Sequence, residues 1–317
     1  MVIRFNNLYE FSKPNLTEQD CVNHLEEVIW DGKLPTSPFD PTSKVYKCAD
    51  KETSGKYPAK YSSYKCKNTG KYFNVRTGTI FENSNIPLSK WFLAFYIYSS
   101  HKKGISSYQL DKFIGTTQKS AWFVLKRLRH ASKTPLFKDM LKDFVEMDET
   151  FVGGKNKNQH WDKKVPNSQG RSLSDKIPVW GAKERNGNLV ARVVSDTSQN
   201  TLEPIIKATI KEGSSVYTDE WKAYNDLHET FNHQWVNHGI KQYVNGTATT
   251  NSIESVWAIL KRVIYGTYHH TSRKHAQKYL DEIVFRHNTR KYNEQDRFNL
   301  VLSSIAGKRL IYRQLTN

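Results

Sequence analysis

The chain has 317 residues, and 37% of them are hydrophobic, which is enough to bury the core of one large domain or of about two or three smaller ones. Its 48 Lys and Arg residues outnumber its 31 Asp and Glu residues and give a net charge of +17. This charge favours a polyanionic partner, nucleic acid first, although a basic protein without a specific partner is the alternative.

The composition also excludes several classes of protein. No run reaches the roughly 18 apolar residues of a membrane span, and the N-terminus lacks the apolar core and cleavage site of a signal peptide. The cysteines, Cys21, Cys48 and Cys66, are odd in number and widely spaced, which argues against a disulfide framework. We therefore expect a soluble, intracellular protein.

Residues 1–85 form the first predicted segment and are rich in Lys, Tyr, Asn, Ser and Pro. The spacing of apolar residues predicts a helix over Glu18–Trp30. Further on, short β-like runs at Tyr61–Lys67 and Lys71–Thr77 are punctuated by Gly70 and Gly78. The pattern predicts an N-terminal module that contains a small ribbon of short strands.

Residues 86–142 are predicted to be helical. Leu88–Ser100 is an aromatic and apolar helix candidate, and Ser106–Phe113 and Gln118–His130 are two further ones joined by a tight turn at 115–117. Two short helices around a Gly-containing turn resemble a helix-turn-helix, whereas an ordinary helical hairpin with solvated basic residues is the alternative. The candidate DNA contacts all lie on the second helix: Gln118, Lys119, Lys126, Arg127 and Arg129.

Residues 143–292 are predicted to form a mixed α/β domain, and residues 293–317 a C-terminal tail. The predicted order is three strands, a helix, a fourth strand and two later helices: Asp143–Phe151, Ile177–Glu184, Leu189–Ser195, Thr201–Lys211, Ser214–Thr218, Asn251–Val263 and Arg273–Arg286. The Asn186-Gly187 pair between the second and third strands is a hairpin signal. The polar, basic stretch 155–176 is predicted to be a loop.

Three acidic residues of this domain lie at positions typical of catalytic residues. Asp148 lies inside the first strand on the face opposite Met147, Asp219 directly follows the fourth strand, and Glu254 lies on a helix. A single Asp at a strand end is more often a turn or cap residue, so the argument rests on the set. Two strand-borne Asp and one helix-borne Glu in this order form a ribonuclease-H-like arrangement. Their oxygens suit the hard divalent cations that assist phosphodiester attack.

The helix that carries Glu254 offers two further candidates. Asn251 and Lys261 fall on the same helical face as Glu254, so Lys261 either contacts a phosphate or is an ordinary surface lysine. His238 lies between Asp219 and Glu254 in the chain and is either near the same site or a structural histidine. The residues predicted to form the buried side of the helix are Val256, Ile259, Leu260 and Val263.

Six runs of residues carry a family resemblance. They are VEMDETFVGGK, YTDEWKAY, TTNSIESVWAILKR and YLDEIVFRHNTR in the α/β domain, with RTGTIFENSNIPLSKWF and KKGISSYQLDKFIGTTQKSAWFVLKRLR before it. In this order they resemble the DDE-superfamily insertion-sequence transposases of the ISXO-type group. The resemblance covers residues 60–292. It implies a multidomain α/β fold, with a ribonuclease-H-like mixed-sheet catalytic core preceded by a helix-turn-helix and a small ribbon module.

The resemblance also implies a function: cleavage of transposon ends and transfer of the 3′-hydroxyl strand to target DNA. It implies that Asp148, Asp219 and Glu254 are catalytic and hold two Mg²⁺ ions, for which Mn²⁺ substitutes. Lys261 would be the basic residue that follows them, and Asn251 would assist or replace Glu254. Further DNA contacts would be Lys155, Lys157, Lys261 and Arg262.

The implied partners are terminal inverted repeats and target DNA, bound by a homodimer or larger assembly in the bacterial cytoplasm at the nucleoid, with no membrane. Two other functions stay open on the sequence. One is a ribonuclease-H-like DNA nuclease without strand transfer. The other is a catalytically inactive, transposase-derived DNA-binding protein.

The ribbon departs from the pattern of the family, in which two Cys-x-x-Cys pairs bind zinc. The corresponding positions here are Ser37 and Asp40, then Cys66 and Thr69. Zinc needs four ligands for a closed structural site, so we expect no structural zinc. Aromatic residues are expected to hold the ribbon together instead: Tyr46, Tyr61, Tyr64, Tyr72 and Phe73.

Overall fold

The computed structural model describes residues 3–12, 16–48, 63–133, 139–153, 156, 160–166, 168, 172–311 and 313–314. The chain divides into two compact units, Met1–Thr134 with Lys291–Asn317, and Pro135–Arg290. Within the described residues, every helix is too short or too polar to cross a membrane.

The helices and strands follow one another along the chain. Those before the second unit are α1 Leu8–Ser12, α2 Glu18–Trp30, β1 Val45–Lys47, β2 Tyr64–Cys66, β3 Tyr72–Phe73, α3 Leu88–Ser100, α4 Ser107–Ile114 and α5 Gln118–Ser132. Those of the second unit are β4 Phe144–Val152, β5 Ile177–Glu184, β6 Leu189–Val193, α6 Gln199–Thr209, β7 Ser215–Thr218, β8 Asn232–Trp235, α7 Asn251–Val263 and α8 Arg273–Asn288. The first unit is completed by α9, Glu294–Ser303.

The second unit is a mixed α/β domain built on one five-stranded sheet in the order β6-β5-β4-β7-β8. β4 is antiparallel to β5 and parallel to β7, so the sheet is mixed. One face packs on α6 and the 3₁₀ helix Lys222–Glu229, and the other packs on α7 and α8. β4 and β5, which lie inside the sheet, therefore have apolar contacts on both faces.

The predicted order of elements in this unit agrees with the structure, with one addition. Strand β8 was missed because its sequence, Asn-His-Gln-Trp, is polar and lacks β-branched residues. It forms because β7 offers a free edge, along which it pairs in parallel from Asn232 to Trp235. The predicted hairpin between β5 and β6 is present, with Asn186 at a φ of 58°.

The N-terminal strands β1, β2 and β3 form a small antiparallel sheet. Its core consists of Val45, Tyr64 and Phe73 with Trp30 packed against them, and the rings of Tyr64 and Phe73 stack with their centroids 5.8 Å apart. Aromatic packing therefore does hold this sheet together, but the expected set was partly wrong. Tyr46 and Tyr72 are 44% and 63% exposed, because strand alternation turns them to the outer face, and Tyr61 lies outside the described residues.

Hydroxyl groups surround Cys66 at the place where the ribbon of the family would bind zinc. Burial would raise the pKa of the Cys66 thiol, but hydrogen bonds with the side chains of Ser37, Ser43 and Thr69 outweigh it and lower this pKa to about 6. The Ser37 hydroxyl in turn accepts the backbone N–H groups of Phe39 and Asp40. Two of the four expected ligand positions thus join a polar network around the one cysteine.

The first unit also contains a helical bundle to which the C-terminal segment belongs. Phe298 of α9 is fully buried, and its ring packs within 5.5 Å of the Phe92 ring of α3 and within 5.2 Å of the Phe5 ring. Residues 293–317, which the sequence assigned to a tail, therefore supply part of a core. The reason is that α9 has an apolar side, including Val301 and Leu302, that needs burial.

Candidate active site

Strand β4 presents Asp148 to one face of the sheet. Val145 and Met147 belong to the core on the α6 side, so alternation turns Glu146 and Asp148 towards α7. The sequence pattern predicted this division of the two faces, and the structure confirms it. Asp148 is half-buried, whereas Glu146 is only 1% exposed.

The register of the sheet brings Asp219 beside Asp148. β4 and β7 are parallel, with Val145 opposite Val216 and Glu146 opposite Tyr217. Two residues further along each strand, the same register aligns Asp148 with Asp219. Asp219 Oδ1 accepts the backbone N–H of Trp221 at 3.0 Å, and this bond fixes the carboxylate where the chain leaves the sheet.

Glu254 reaches the site from the first turn of α7. Its Oε1 accepts a hydrogen bond from the Thr250 hydroxyl at 3.0 Å and lies 3.4 Å from His238 Nε2. Asn251 and Lys261, like Glu254, are exposed, as the helical spacing predicts. Ile259 was expected on the buried side of the helix but is 40% exposed.

A tryptophan on α7 binds Asp148 directly. Trp257 Nε1–H donates to Asp148 Oδ2 at 3.0 Å. The indole can lie this close to the sheet because the residue paired with Asp148 on β5 is Gly181. A Cβ at position 181 would come within 2.8 Å of Trp257 Cζ2, closer than atoms pack. The absence of a side chain at Gly181 therefore makes room for the ring that holds the carboxylate.

Negative charge is concentrated at Asp148. The pKa of Asp148 is raised to about 7, first by burial and then by the charges of Asp219 and Glu254. Hydrogen bonds from the backbone N–H of Glu149 and from Trp257 oppose this rise in pKa. Like charges raise the pKa of a carboxyl group only when they are near, so Asp219 and Glu254 each lie close enough to Asp148 for their charges to act on it.

This donor set suits a hard cation, since carboxylate oxygens are the ligands that Mg²⁺ and Mn²⁺ prefer. Across the ranges described above, no group of three His, Cys, Asp or Glu side chains is close enough together to hold a single ion. The charges of both other acids nevertheless raise the pKa of Asp148. The arrangement therefore fits ions held by pairs of carboxylates better than one ion held by all three.

Comparison with known proteins identifies the family. Residues 140–288, which include all three acids, match the ISXO2-like transposase domain. An uncharacterized protein in transposable element ISH50 of Halobacterium salinarum is 31% identical over 211 residues, which are 64% of this chain and 70% of that protein. The chain belongs to the ISXO2-like family of DDE-superfamily insertion-sequence transposases. The family resemblance seen in the sequence is thereby confirmed.

Two other matches are weaker, one in the share of this chain that it covers and the other in sequence identity. An uncharacterized transposase-like protein of Haemophilus influenzae is 30% identical over 104 residues, which are 32% of this chain and 83% of that protein. The crystal structure of a pre-cleavage Mos1 transpososome matches 66% of this chain and 76% of that chain, with 12% identity and a TM-score of 0.25. A score this low supports no argument about the fold.

Two of the four candidate DNA contacts of the second unit lie within the described residues. Lys261 and Arg262 are exposed in the last turn of α7, and Arg262 Nε–H donates to the carbonyl of Ala258 at 3.1 Å. Cations at this end of a helix also interact favourably with its dipole. Lys155 and Lys157 lie outside the described residues.

Helices α4 and α5 of the transposase form the predicted pair around a tight turn. α4 ends at Gly115, whose φ is 56°, and the Thr117 side chain caps α5. Gln118 Nε2 donates to the Ser107 hydroxyl at 2.8 Å and so joins the two helices. Lys119 is exposed at the start of α5.

Three other candidates on α5 require a correction. Lys126 and Arg129 are 1% and 2% exposed, so they cannot reach a phosphate in this conformation. Lys126 Nζ lies 4.8 Å from the centroid of the Trp122 ring, and Arg127 donates to the carbonyl oxygens of Ile80 and Leu310. Their long side chains stabilise the unit from within, which the basic composition of α5 did not indicate.

Sequence reasoning assigned no role to Glu146 or Arg185. Arg185 Nε lies 3.2 Å from Glu146 Oε1, and Glu146 Oε2 accepts the backbone N–H groups of Ser252 and Ile253. A usable signal was present, because a glutamate two residues before Asp148 shares its face of a buried strand. His238, which the sequence left as either near the site or structural, lies beside Glu254, with its Nε2 3.4 Å from Glu254 Oε1.

Proposed function

We propose that this chain is a metal-dependent DNA transposase that cleaves transposon ends and joins the free 3′-hydroxyl strand to target DNA. The observation that carries the proposal is that Asp148 lies in the family-matched region near both Asp219 and Glu254, whose charges help to raise its pKa. We assign a ribonuclease-H-like fold to the second unit. Its mixed sheet, with two acids on neighbouring parallel strands, supports that assignment.

Asp148, Asp219 and Glu254 would hold two Mg²⁺ or Mn²⁺ ions. Mg²⁺ is commonly bound through one or two carboxylates and takes its other ligands from water and substrate phosphates, so two acids per ion suffice. Bound ions would activate the attacking oxygen and stabilise the leaving oxygen of the phosphodiester.

The other residues of the site would position these acids and the DNA. The Trp257 N–H keeps Oδ2 of Asp148 in place, and Thr250 with His238 holds Oε1 of Glu254. Lys261 would bind a substrate phosphate from the exposed side of α7. Asn251, exposed in the same first turn as Glu254, stays a candidate to assist it.

DNA would be recognised through phosphate contacts and through the α4–α5 pair. The net charge of +17 supports binding that weakens as salt rises. Of the candidates on α5, exposed Lys119 and half-buried Gln118 would contact DNA at the N-terminal end of the second helix, the end that reads bases in helix-turn-helix proteins. Two transposon ends must be joined in one reaction, so we propose a homodimer or larger assembly.

The test is the variant Asp148→Asn, which keeps the size of the side chain and removes its charge. With a labelled duplex of the inverted repeat, we expect loss of Mg²⁺-dependent cleavage and unchanged binding of the end. Unchanged cleavage by Asp148→Asn would refute the assignment. A pre-cleaved end with a free 3′-hydroxyl separates the remaining functions: a nuclease makes no joined product, and an inactive DNA-binding protein makes neither product.

A further inference from the structure

We propose that Glu146 is a positioning residue of the active site, which anchors the N-terminal end of α7 to strand β4. Through this anchor it holds Glu254 and Trp257 over Asp148. The structural part of this inference stands on contacts alone. Its consequence for metal binding rests on the proposed function.

The first observation is that Glu146 is a buried carboxylate whose partners come from other elements. Its exposure is 1%, and a buried charge is tolerated only when it is paired and hydrogen-bonded. Arg185 Nε lies 3.2 Å from Oε1. The backbone N–H groups of Ser252 and Ile253 donate to Oε2 at 2.9 and 3.2 Å. Glu146 thus binds an arginine from the β5–β6 hairpin and the first turn of α7 together.

The second observation is that α7 needs a cap from outside itself. The first N–H groups of a helix have no partner within the helix, and a Ser or Thr before it commonly supplies one. Here the side chain of Thr250 caps no N–H group of α7, and its hydroxyl donates to Glu254 Oε1 instead. The carboxylate of Glu146, more than 100 positions earlier in the chain, takes that role. Its negative charge also suits the positive end of the helix dipole.

The third observation is a match of spacings between strand and helix. Glu146 and Asp148 are two residues apart on β4, which is about 6.7 Å along a strand. Their partners Ile253 and Trp257 are four residues apart on α7, which is about 6 Å along a helix. The cap and the Trp257–Asp148 bond therefore attach α7 to β4 at two matched points. Two attachment points set both the translation and the rotation of the helix, and Glu254 lies between them.

Arg185 makes the anchor rigid. Its Nη2 donates to the carbonyl of Thr247 at 2.7 Å, in the segment that leads into α7. Its guanidinium carbon lies 4.8 Å from the centroid of the Tyr217 ring on β7. A guanidinium held on several sides cannot follow a displaced carboxylate. The pair therefore ties β4, β7 and the entry to α7 into one support for the three acids.

The experiment compares three variants of the full chain by two measurements: Mn²⁺ titration, and hydrogen exchange of the Ser252 and Ile253 amides. Glu146→Gln removes the charge and replaces one of the two acceptor oxygens by an NH₂ group, which only donates. Glu146→Asp keeps the charge but is one methylene shorter. Glu282→Gln is the matched control, because Glu282 is equally buried at 1% and pairs with an arginine, Arg286, on α8.

We expect Glu146→Gln and Glu146→Asp to weaken Mn²⁺ binding about 10-fold or more, the usual effect of removing an outer-shell partner. The two amides should exchange at least about 10-fold faster, because their acceptor becomes a neutral, weaker one in Glu146→Gln and is withdrawn in Glu146→Asp. Glu282→Gln should change neither quantity. If Glu146→Gln does not fold, the double variant Glu146→Gln with Arg185→Met is used, because it leaves no buried guanidinium without its carboxylate. We expect the same changes in Mn²⁺ binding and amide exchange for it.

Three results would overturn the proposal: unchanged exchange of the two amides in Glu146→Gln, wild-type Mn²⁺ affinity in Glu146→Asp, or an equal loss of affinity in Glu282→Gln. Wild-type affinity in Glu146→Asp would mean that metal binding depends only on the charge of Glu146. An equal loss in Glu282→Gln would mean that removing any buried carboxylate weakens metal binding. A wild-type chain that binds no Mn²⁺ would instead refute the proposed function. The exchange measurement would still decide whether Glu146 caps α7.

Discussion

Substituting Gly181 by alanine tests whether the contact between Trp257 and Asp148 depends on an empty position in β5. The new Cβ would lie 2.8 Å from Trp257 Cζ2, whereas ordinary contacts begin at 3.4 Å. The indole would have to retreat by more than the difference of about 0.6 Å, because Trp257 Cη2 lies even closer to the new Cβ and backbone in a central strand yields little. That retreat would lengthen the Nε1–Oδ2 distance from 3.0 Å to about 3.6 Å or more, which is no longer a hydrogen bond.

The expected cost follows from these two effects. Overpacking of a core costs about 1–3 kcal/mol, and a hydrogen bond to a charged group contributes about 1.5–3 kcal/mol. We expect Gly181→Ala to lower the free energy of unfolding by about 2.5–6 kcal/mol, measured by urea denaturation. It should also slow cleavage of the transposon end, because Asp148 loses the donor that holds it.

Two further variants make the result specific. Gly266→Ala is the control, because a Cβ there meets no atom within 4 Å, and we expect a change below about 1 kcal/mol. In Trp257→Leu the obstructing ring is gone, so Gly181→Ala should cost much less in that background than in the wild type. The reasoning is refuted if Gly181→Ala costs as much in the Trp257→Leu background as in the wild type, or if it leaves the stability of the wild type unchanged.

Two remaining predictions concern charge. Without metal, the contribution of Asp148 to stability should fall as the pH rises from about 4 to about 7, because its pKa is about 7 when folded and near 3.8 when exposed, so the unfolded chain loses this proton first. His233 and His287, whose pKa values burial lowers to about 4, act in the opposite direction, so the fall is measured as the difference between the wild type and Asp148→Asn. This fall is at most about 4 kcal/mol. Asp148→Asn should abolish it, and Mn²⁺ added at pH 8 should offset it. If stability changed equally with pH in Asp148→Asn and in the wild type, the raised pKa would not belong to Asp148. Lys119→Ala should weaken binding of the transposon end and reduce the slope of log affinity against log salt concentration by about 0.9. Lys126 is buried, so Lys126→Ala should lower the melting temperature and leave this slope unchanged. Equal slopes in Lys119→Ala and the wild type would mean that Lys119 does not contact DNA.

The corrections to the sequence predictions share one cause. Basic residues on α5 indicated a DNA surface, yet Lys126 and Arg129 are buried in the helical unit. Burial depends on which side of a helix meets its neighbours, and a charge count over the helix does not contain that information. Likewise three of the four residues of β8 are polar and none is β-branched, and it becomes a strand because β7 has an edge to pair with.

The sequence by itself determined the features that depend on neighbours along the chain. Helices α2, α3 and α7 and strand β5 have the predicted bounds, because apolar periodicity and turn residues act locally. Alternation along β4 was enough to place Asp148 opposite the apolar core. The family likewise followed from ordered motifs.

Only the tertiary structure decided how the candidate site is supported. The cap of α7 by Glu146 and the hydrogen bond from Trp257 to Asp148 each join residues more than 100 positions apart. The space that admits the indole is the missing side chain of Gly181, on a third element. Such contacts leave no periodic trace in the sequence, because each depends on the register between a strand and a helix, and that register is set by the packing of the whole unit.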